Sequence, residues 1–193
     1  MDPRKFIEIM ATAEQLKKTF RHSYTLDDRR ESVAEHCWRL SFMALLLEKD
    51  FPEIDISKVI KMCLLHDMGE AFTGDIPAFD KTVNHEIQES TALQNWLQTL
   101  PAETAADFRN LYDEMDALQT SEAKLYKALD KLEALIQHNE ADIRTWLPLE
   151  YDLQLTYGNE ECSFDPKIKA LRDHVREDSI NKIKEQNNGQ KEN

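Results

Sequence analysis

In Ile56-Ser57-Lys58-Val59-Ile60-Lys61-Met62-Cys63-Leu64-Leu65-His66-Asp67-Met68-Gly69-Glu70 an apolar helical stripe runs into polar side chains that do not belong in it. With each residue turning about 100°, Ile56, Ile60, Cys63 and Leu64 define the buried stripe of a helix predicted over 56–70. Asp55 precedes it as an N-cap. Asp67 projects onto the centre of that stripe, with His66 and Glu70 at its flank. An uncompensated carboxylate there costs roughly several kcal/mol, so it needs a cation, a cluster of donors or a raised pKa. Neither Arg nor Lys occurs between Met62 and Thr73, so any counter-charge comes from elsewhere in the fold. A distant salt bridge would serve, and a metal ion is the economical candidate.

Working outward, the same periodicity predicts helices over 3–19, 31–50, 82–99, 103–116, 120–140, 147–157 and 166–187. Pro52, Pro77, Pro101, Pro148 and Pro166 fall between these segments or at their starts, where a missing N–H does least harm. Only four Gly and six Pro occur in 193 residues, and Leu, Ala, Glu and Lys abound, which favours an all-α fold. The length fits one domain, taken as residues 1–184. The tail 185–193, all polar apart from one Gly, has nothing to bury and is expected to fray.

Ser32-Val33-Ala34-Glu35 has the spacing of a capping box, which gives Glu35 a structural task. Val33, Leu40, Met43, Ala44 and Leu47 line one stripe of the helix that follows, and His36 falls inside it. Taken alone, His36 reads as a neutral core histidine bonded to a backbone carbonyl. On the helix over 120–140 the main stripe is Leu125, Leu129, Leu132 and Ile136. Asp130 lies off that stripe, in a band with Ala123, Tyr126, Ala134 and Gln137, so spacing leaves both a solvated and a buried aspartate open.

Lys and Arg number 24 against 37 Asp and Glu, a net charge of -13 that disfavours nucleic acid as a partner. A small phosphorylated substrate remains compatible, because a bound metal with an Arg or two inverts the local field. No apolar run of about 18 residues spans a membrane, and the polar N-terminus lacks a signal peptide's features, so a cytoplasmic protein is expected. Cys37, Cys63 and Cys162 are odd in number and form no C-x-x-C pair, which argues for reduced thiols.

Taken in order, Glu35-His36, Leu65-His66-Asp67 and Leu129-Asp130-Lys131 resemble the H…HD…D pattern of the HD-domain metal-dependent phosphohydrolases. The similarity extends through Glu31-Ser32-Val33-Ala34-Glu35-His36 and through His66-Asp67-Met68-Gly69-Glu70-Ala71-Phe72-Thr73-Gly74-Asp75-Ile76-Pro77, and covers the chain to about residue 160. The most similar subgroup is the 5′-deoxynucleotidase-like HD proteins, which remove phosphate from deoxynucleoside 5′-monophosphates with a divalent transition metal and are commonly dimers.

The resemblance implies a single-domain helical bundle whose metal ligands are His36, His66, Asp67 and Asp130. Two imidazoles and two carboxylates suit Mn, Co, Fe or Zn better than Mg or Ca. Such an ion would activate a water for attack on the phosphate. Glu70 matches the family's acid/base glutamate. Asp75, Ile76, Pro77 and Ala78 match its substrate loop, where Asp75 binds a sugar hydroxyl or helps to protonate the leaving oxygen. Arg21 stands where the family has a phosphate-contacting Arg. His22 replaces the subgroup's Trp, a residue tied to preference for the 2′-deoxy sugar, and leaves sugar preference open. The implied partners are a nucleoside monophosphate and a second copy of the chain, with exposed apolar positions on the last helices as a candidate interface. Another nucleotide substrate, triphosphate or cyclic, and a non-catalytic binding module are the alternatives. A two-metal HD centre would need further His ligands between His66 and Asp130, where only His85 occurs.

Overall fold

A computed structural model describes residues 1–189. Helix α1 (Pro3–Ala13) starts at the N-cap Asp2, whose side chain accepts from Lys5 N at 3.0 Å, and Pro3 sits in its first turn. The expected continuation to residue 19 does not form. The chain tightens into a 3-10 turn over Glu14–Lys17 and then extends as β1 (Phe20–Tyr24), paired with β2 (Arg30–Ser32). Aromatic and β-branched residues from Phe20 to Thr25 favour this ribbon, which is too short to show a period of its own. Apart from it, the described residues are helical or in connections, as an all-α chain requires.

Helix α2 (Val33–Leu46) opens on the expected capping box: Ser32 caps Glu35 N, and Glu35 Oε2 accepts from Ser32 N and Oγ, each at 2.8 Å. Helix α3 (Ile56–Leu65) starts at the N-cap Asp55. It is shorter than the predicted 56–70. Its buried residues are Ile56, Val59, Met62 and Cys63, whereas Leu64 is half exposed, so the inward face is rotated from the predicted stripe. Close turns then carry the backbone through Asp67 into α4 (Glu70–Thr73), with Met68 N donating to Leu65 O and Glu70 N to Asp67 O. Helices α5 (Val83–Gln98), α6 (Ala102–Ala117) and α7 (Ser121–Glu140) follow. The predicted helix over 147–157 appears as a 3-10 turn over Ile143–Thr145 and α8 (Glu150–Thr156), followed by α9 (Asn159–Cys162). Helix α10 runs Pro166–Gly189. It includes residues 185–189 of the predicted fraying tail, where Glu185 and Gln186 are adequate helix formers. Residues 190–193 of that tail lie outside the described residues.

Contacts gather the chain into two compact units, one of residues 1–22 and 31–126, the other of residues 23–30 and 127 onward. In the first, α2 packs on α3, α3 and α5 pack on α6, and α4 lies on α5. Val33, Leu40, Ala44, Val59, Met62, Cys63, Leu97 and Leu125 form its core. In the second, α10 packs on α8 and α9, and Leu129, Leu132, Cys162 and Ile168 are buried. There Arg172 donates to the carbonyls of Gln154 and Tyr157, each at 2.9 Å, and so caps the end of α8. Among the described residues no helix is long and apolar enough to cross a membrane.

Candidate metal centre

Three of the four predicted ligands meet in the first unit. His36, on the inward face of α2, is fully buried. His66 caps α3, and Asp67 follows in the turn toward α4 rather than on the helix, as the periodicity had placed it. Asp67 Oδ2 lies 3.0 Å from His66 Nε2 and 3.9 Å from His36 Nε2, and one ligand atom from each residue falls within 4.8 Å of the others. Nitrogen and oxygen ligands sit roughly 2.0–2.2 Å from a zinc-like ion. Atoms bound to one ion therefore stand about this far apart, and the trio fits a divalent metal.

The surroundings favour the same use. His66 Nδ1 lies 2.9 Å from the carbonyl of Cys63, a contact that assigns the proton to Nδ1 and leaves Nε2 for an ion. Tyr126 packs against the His66 ring at a centroid distance of 5.4 Å, and Tyr112 donates its hydroxyl to the carbonyl of Leu65, immediately before His66. Burial works against a charged His66, yet the Asp67 carboxylate together with Tyr126 and Cys37 outweighs it and holds the imidazole well above its ordinary pKa. That carboxylate calls for a cation beside it.

Glu70 opens α4 and is buried; burial, then the charges of Asp67, Asp75 and Glu89, push its pKa up to about 10. Gly74 then swings the chain to Asp75 with a φ of 80°, a left-handed conformation that a side chain would strain. Burial raises the Asp75 carboxyl, the Arg21 charge opposes this, and the Asp67 charge adds to it. A divalent cation beside Asp67 would bring both carboxyl groups down toward a working range. Arg21, on β1, keeps Nε 3.3 Å from the buried Glu31 carboxylate while its charge reaches Glu70 and Asp75. His22 meets the ring of Phe79 edge-on at 5.8 Å. Ile76, Pro77 and Ala78 form the loop between Asp75 and that ring, and Asp80 N donates to Pro77 O at 2.8 Å.

Asp130 belongs to the second unit, on α7, where it is half-buried with Lys127 Nζ at 3.0 Å and Lys131 Nζ at 3.9 Å. The Lys131 ammonium also donates to the Tyr157 hydroxyl at 2.6 Å. His85, the one histidine between His66 and Asp130, completes the capping box of α5 with Thr82. The sequence reading missed Tyr112, Tyr126 and the Glu31 partner of Arg21. Nothing in their spacing marked them, since each acts across the fold.

The arrangement is that of a helical metal centre with an adjoining acid pair and a guanidinium, and the HD-domain family profile matches residues 13–172: the chain belongs to the HD-domain family. Its relatives include the 5′-deoxynucleotidase HDDC2 of Dictyostelium discoideum, 34% identical over 146 residues, which are 70% of this chain and 75% of that one. The human 5′-deoxynucleotidase HDDC2 is 28% identical over 71% of this chain and 68% of its own. A 5′-deoxynucleotidase of Pectobacterium atrosepticum is 26% identical over 88% of this chain and 96% of its own. Among solved structures, a predicted metal-dependent phosphohydrolase from Magnetospirillum magnetotacticum superposes with a TM-score of 0.79 at 25% identity, covering 93% of both chains.

Proposed function

We propose that this chain is a metal-dependent phosphomonoesterase that releases phosphate from (deoxy)nucleoside 5′-monophosphates. The observation that carries the proposal is the convergence of His36 Nε2, His66 Nε2 and Asp67 Oδ2 beside the Glu70–Asp75 pair. Asp130 is the fourth ligand, on the strength of its place in the motif, and the donor set suits Mn, Co, Fe or Zn better than Mg.

When bound, the cation supplies Lewis acidity, lowering the pKa of water and offsetting phosphate charge. Arg21, positioned by its ion pair with Glu31, supplies a guanidinium charge to the phosphate oxygens. Glu70, kept protonated by burial beside the charges of Asp67 and Asp75, carries the proton of this carboxyl pair. As the phosphorus-oxygen bond breaks, the pair delivers that proton to the leaving 5′ oxygen, and the proton of the attacking water recharges it. His22, Ile76, Pro77 and Ala78 line the sugar side.

The enzyme works in the cytoplasm, a reading supported by three free, buried cysteines. It works as a homodimer. Support for this comes from α1, which buries none of its residues and exposes Phe6, Ile7 and Met10, and from Trp38, Phe42, Leu45 and Leu46 on the outer side of α2. The last helices, expected to carry this interface, expose no large apolar side chain among the described residues of α10.

The test is elemental analysis of protein purified without chelator, followed by a phosphate-release screen over ribo and deoxy 5′-monophosphates with Mn, Co, Mg and Zn. Asp67→Asn is expected to lose metal and turnover together. Undiminished turnover in that variant would refute the ligand assignment.

A further inference from the structure

We infer that Lys81 is a second phosphate-binding cation of this site, held in position by Glu89. The inference rests on the phosphohydrolase reading above and adds residues that reading does not use.

The geometry starts at Gly69, in the turn between Asp67 and Glu70. A Cβ placed there would stand 2.7 Å from Glu89 Cγ and 3.4 Å from Glu89 Oε1. The Glu89 side chain, coming from α5, therefore lies flat on the backbone of the turn that carries the metal ligands. Its Oε2 holds Lys81 Nζ at 2.6 Å. One short chain of contacts thus fixes an ammonium group beside the Asp67–Glu70 turn. Lys81 closes the loop that begins with Asp75, so both ends of that loop face the same acidic cluster.

Charge gives this placement a purpose. Glu31, Asp67, Glu70, Asp75 and Glu89 gather here, and a phosphate monoester brings further negative charge. Arg21 is shared with Glu31 at 3.3 Å, so it meets that charge only in part. Burial works against the charge on Lys81, yet its hydrogen bond to Glu89 and the nearby Glu70 and Asp67 hold its pKa above the ordinary lysine value. It is an ammonium at neutral pH. Its side chain keeps 27% exposure, which leaves donors open to an incoming oxyanion while Glu89 retains one. Glu89 acts through Lys81 as a positioning residue, because a carboxylate so close to the cluster would by itself repel phosphate.

The experiment uses the whole 193-residue chain loaded with Mn. Binding of inorganic phosphate is measured by calorimetry, kcat and KM are measured for a nucleoside 5′-monophosphate, and Tm is recorded for wild type, Lys81→Met, Lys81→Arg and Glu89→Gln. A charge-assisted hydrogen bond predicts that Lys81→Met weakens phosphate binding and raises KM by roughly 10- to 100-fold, with a smaller change in kcat. Lys81→Arg should recover most of this, and Glu89→Gln should show a lesser loss. Unchanged phosphate affinity and KM in a Lys81→Met protein that keeps the wild-type Tm would overturn the assignment. So would equal losses of Tm in Lys81→Met and Glu89→Gln without rescue by Lys81→Arg, the mark of a merely structural ion pair. Wild-type protein that takes up Mn but binds no phosphate would overturn the phosphohydrolase reading itself, and this assignment with it.

Discussion

Tyr112→Phe removes a single hydroxyl that supports the metal-binding turn from α6. The ring is buried, 6% exposed, and its hydroxyl donates to the carbonyl of Leu65, the last residue of α3 before His66. Burial keeps the phenol protonated and therefore a donor. The same carbonyl also accepts from Met68 N at 3.0 Å, so losing the tyrosine leaves it with one bond rather than none. The cost is then that of one ordinary buried hydrogen bond, about 1 kcal/mol, and not the larger penalty of an orphaned acceptor. For a chain of this length that lowers Tm by about 2–4 °C. The second consequence is local. With the end of α3 less firmly held, His66 Nε2 and Asp67 Oδ2 lose part of their alignment, and metal affinity should fall by about 10-fold, as it does when outer contacts of metal ligands are removed. Scanning calorimetry of chelated protein measures the first effect and a Mn titration the second. A lower Tm with unaltered metal affinity would refute the claim that α6 positions the ligands, and no measurable fall in Tm would refute the hydrogen bond.

Asp142 should titrate at about 2 by NMR, because the Arg144 side chain and backbone N–H both donate to its carboxylate. With Arg144→Gln it should move back toward the ordinary aspartate value. Since the folded pKa is depressed, the stabilisation is present above the unfolded pKa and is lost as pH falls through about 2, so the variant's deficit should be seen near neutrality and vanish in strong acid. The pair is solvent-exposed, which keeps the effect small. Wild-type protein should sediment as a dimer, and a Trp38→Glu, Phe42→Glu variant, which breaks a parallel ring pair 5.9 Å apart, as a monomer; a monomeric wild type would remove the basis for an interface there.

The local signals in the chain were those that obey short-range rules. Asp55 and Ser32 cap α3 and α2 because their hydroxyl or carboxylate oxygens reach orphan N–H groups within one turn, a relation fixed by spacing alone. The burial of His36 followed from its place on an apolar stripe. The presence of a polar, ligand-capable group after Leu65 was equally plain, because uncompensated charge has no place on an apolar helix face. The family followed from the motif and its flanks, which local order preserves.

Periodicity misplaced Asp67 by extending a helix beyond its end, since the winding that stops α3 at Leu65 depends on close turns and on the hydroxyl of Tyr112 rather than on a Pro or Gly at that point. It also missed the ribbon of β1 and β2, whose pairing joins residues on either side of a turn. Arg21 with Glu31, Lys81 with Glu89, and Tyr112 with Leu65 were decided only by tertiary structure, because each is a contact between elements and sequence spacing encodes direction along one element only. The chain by itself thus determined which chemical groups are available and which of them must be sheltered. Their convergence on one cation-sized space, and the acid pair set beside it, came from the packing of α2, α3, α4 and α5, which brings side chains remote in sequence within a few ångströms.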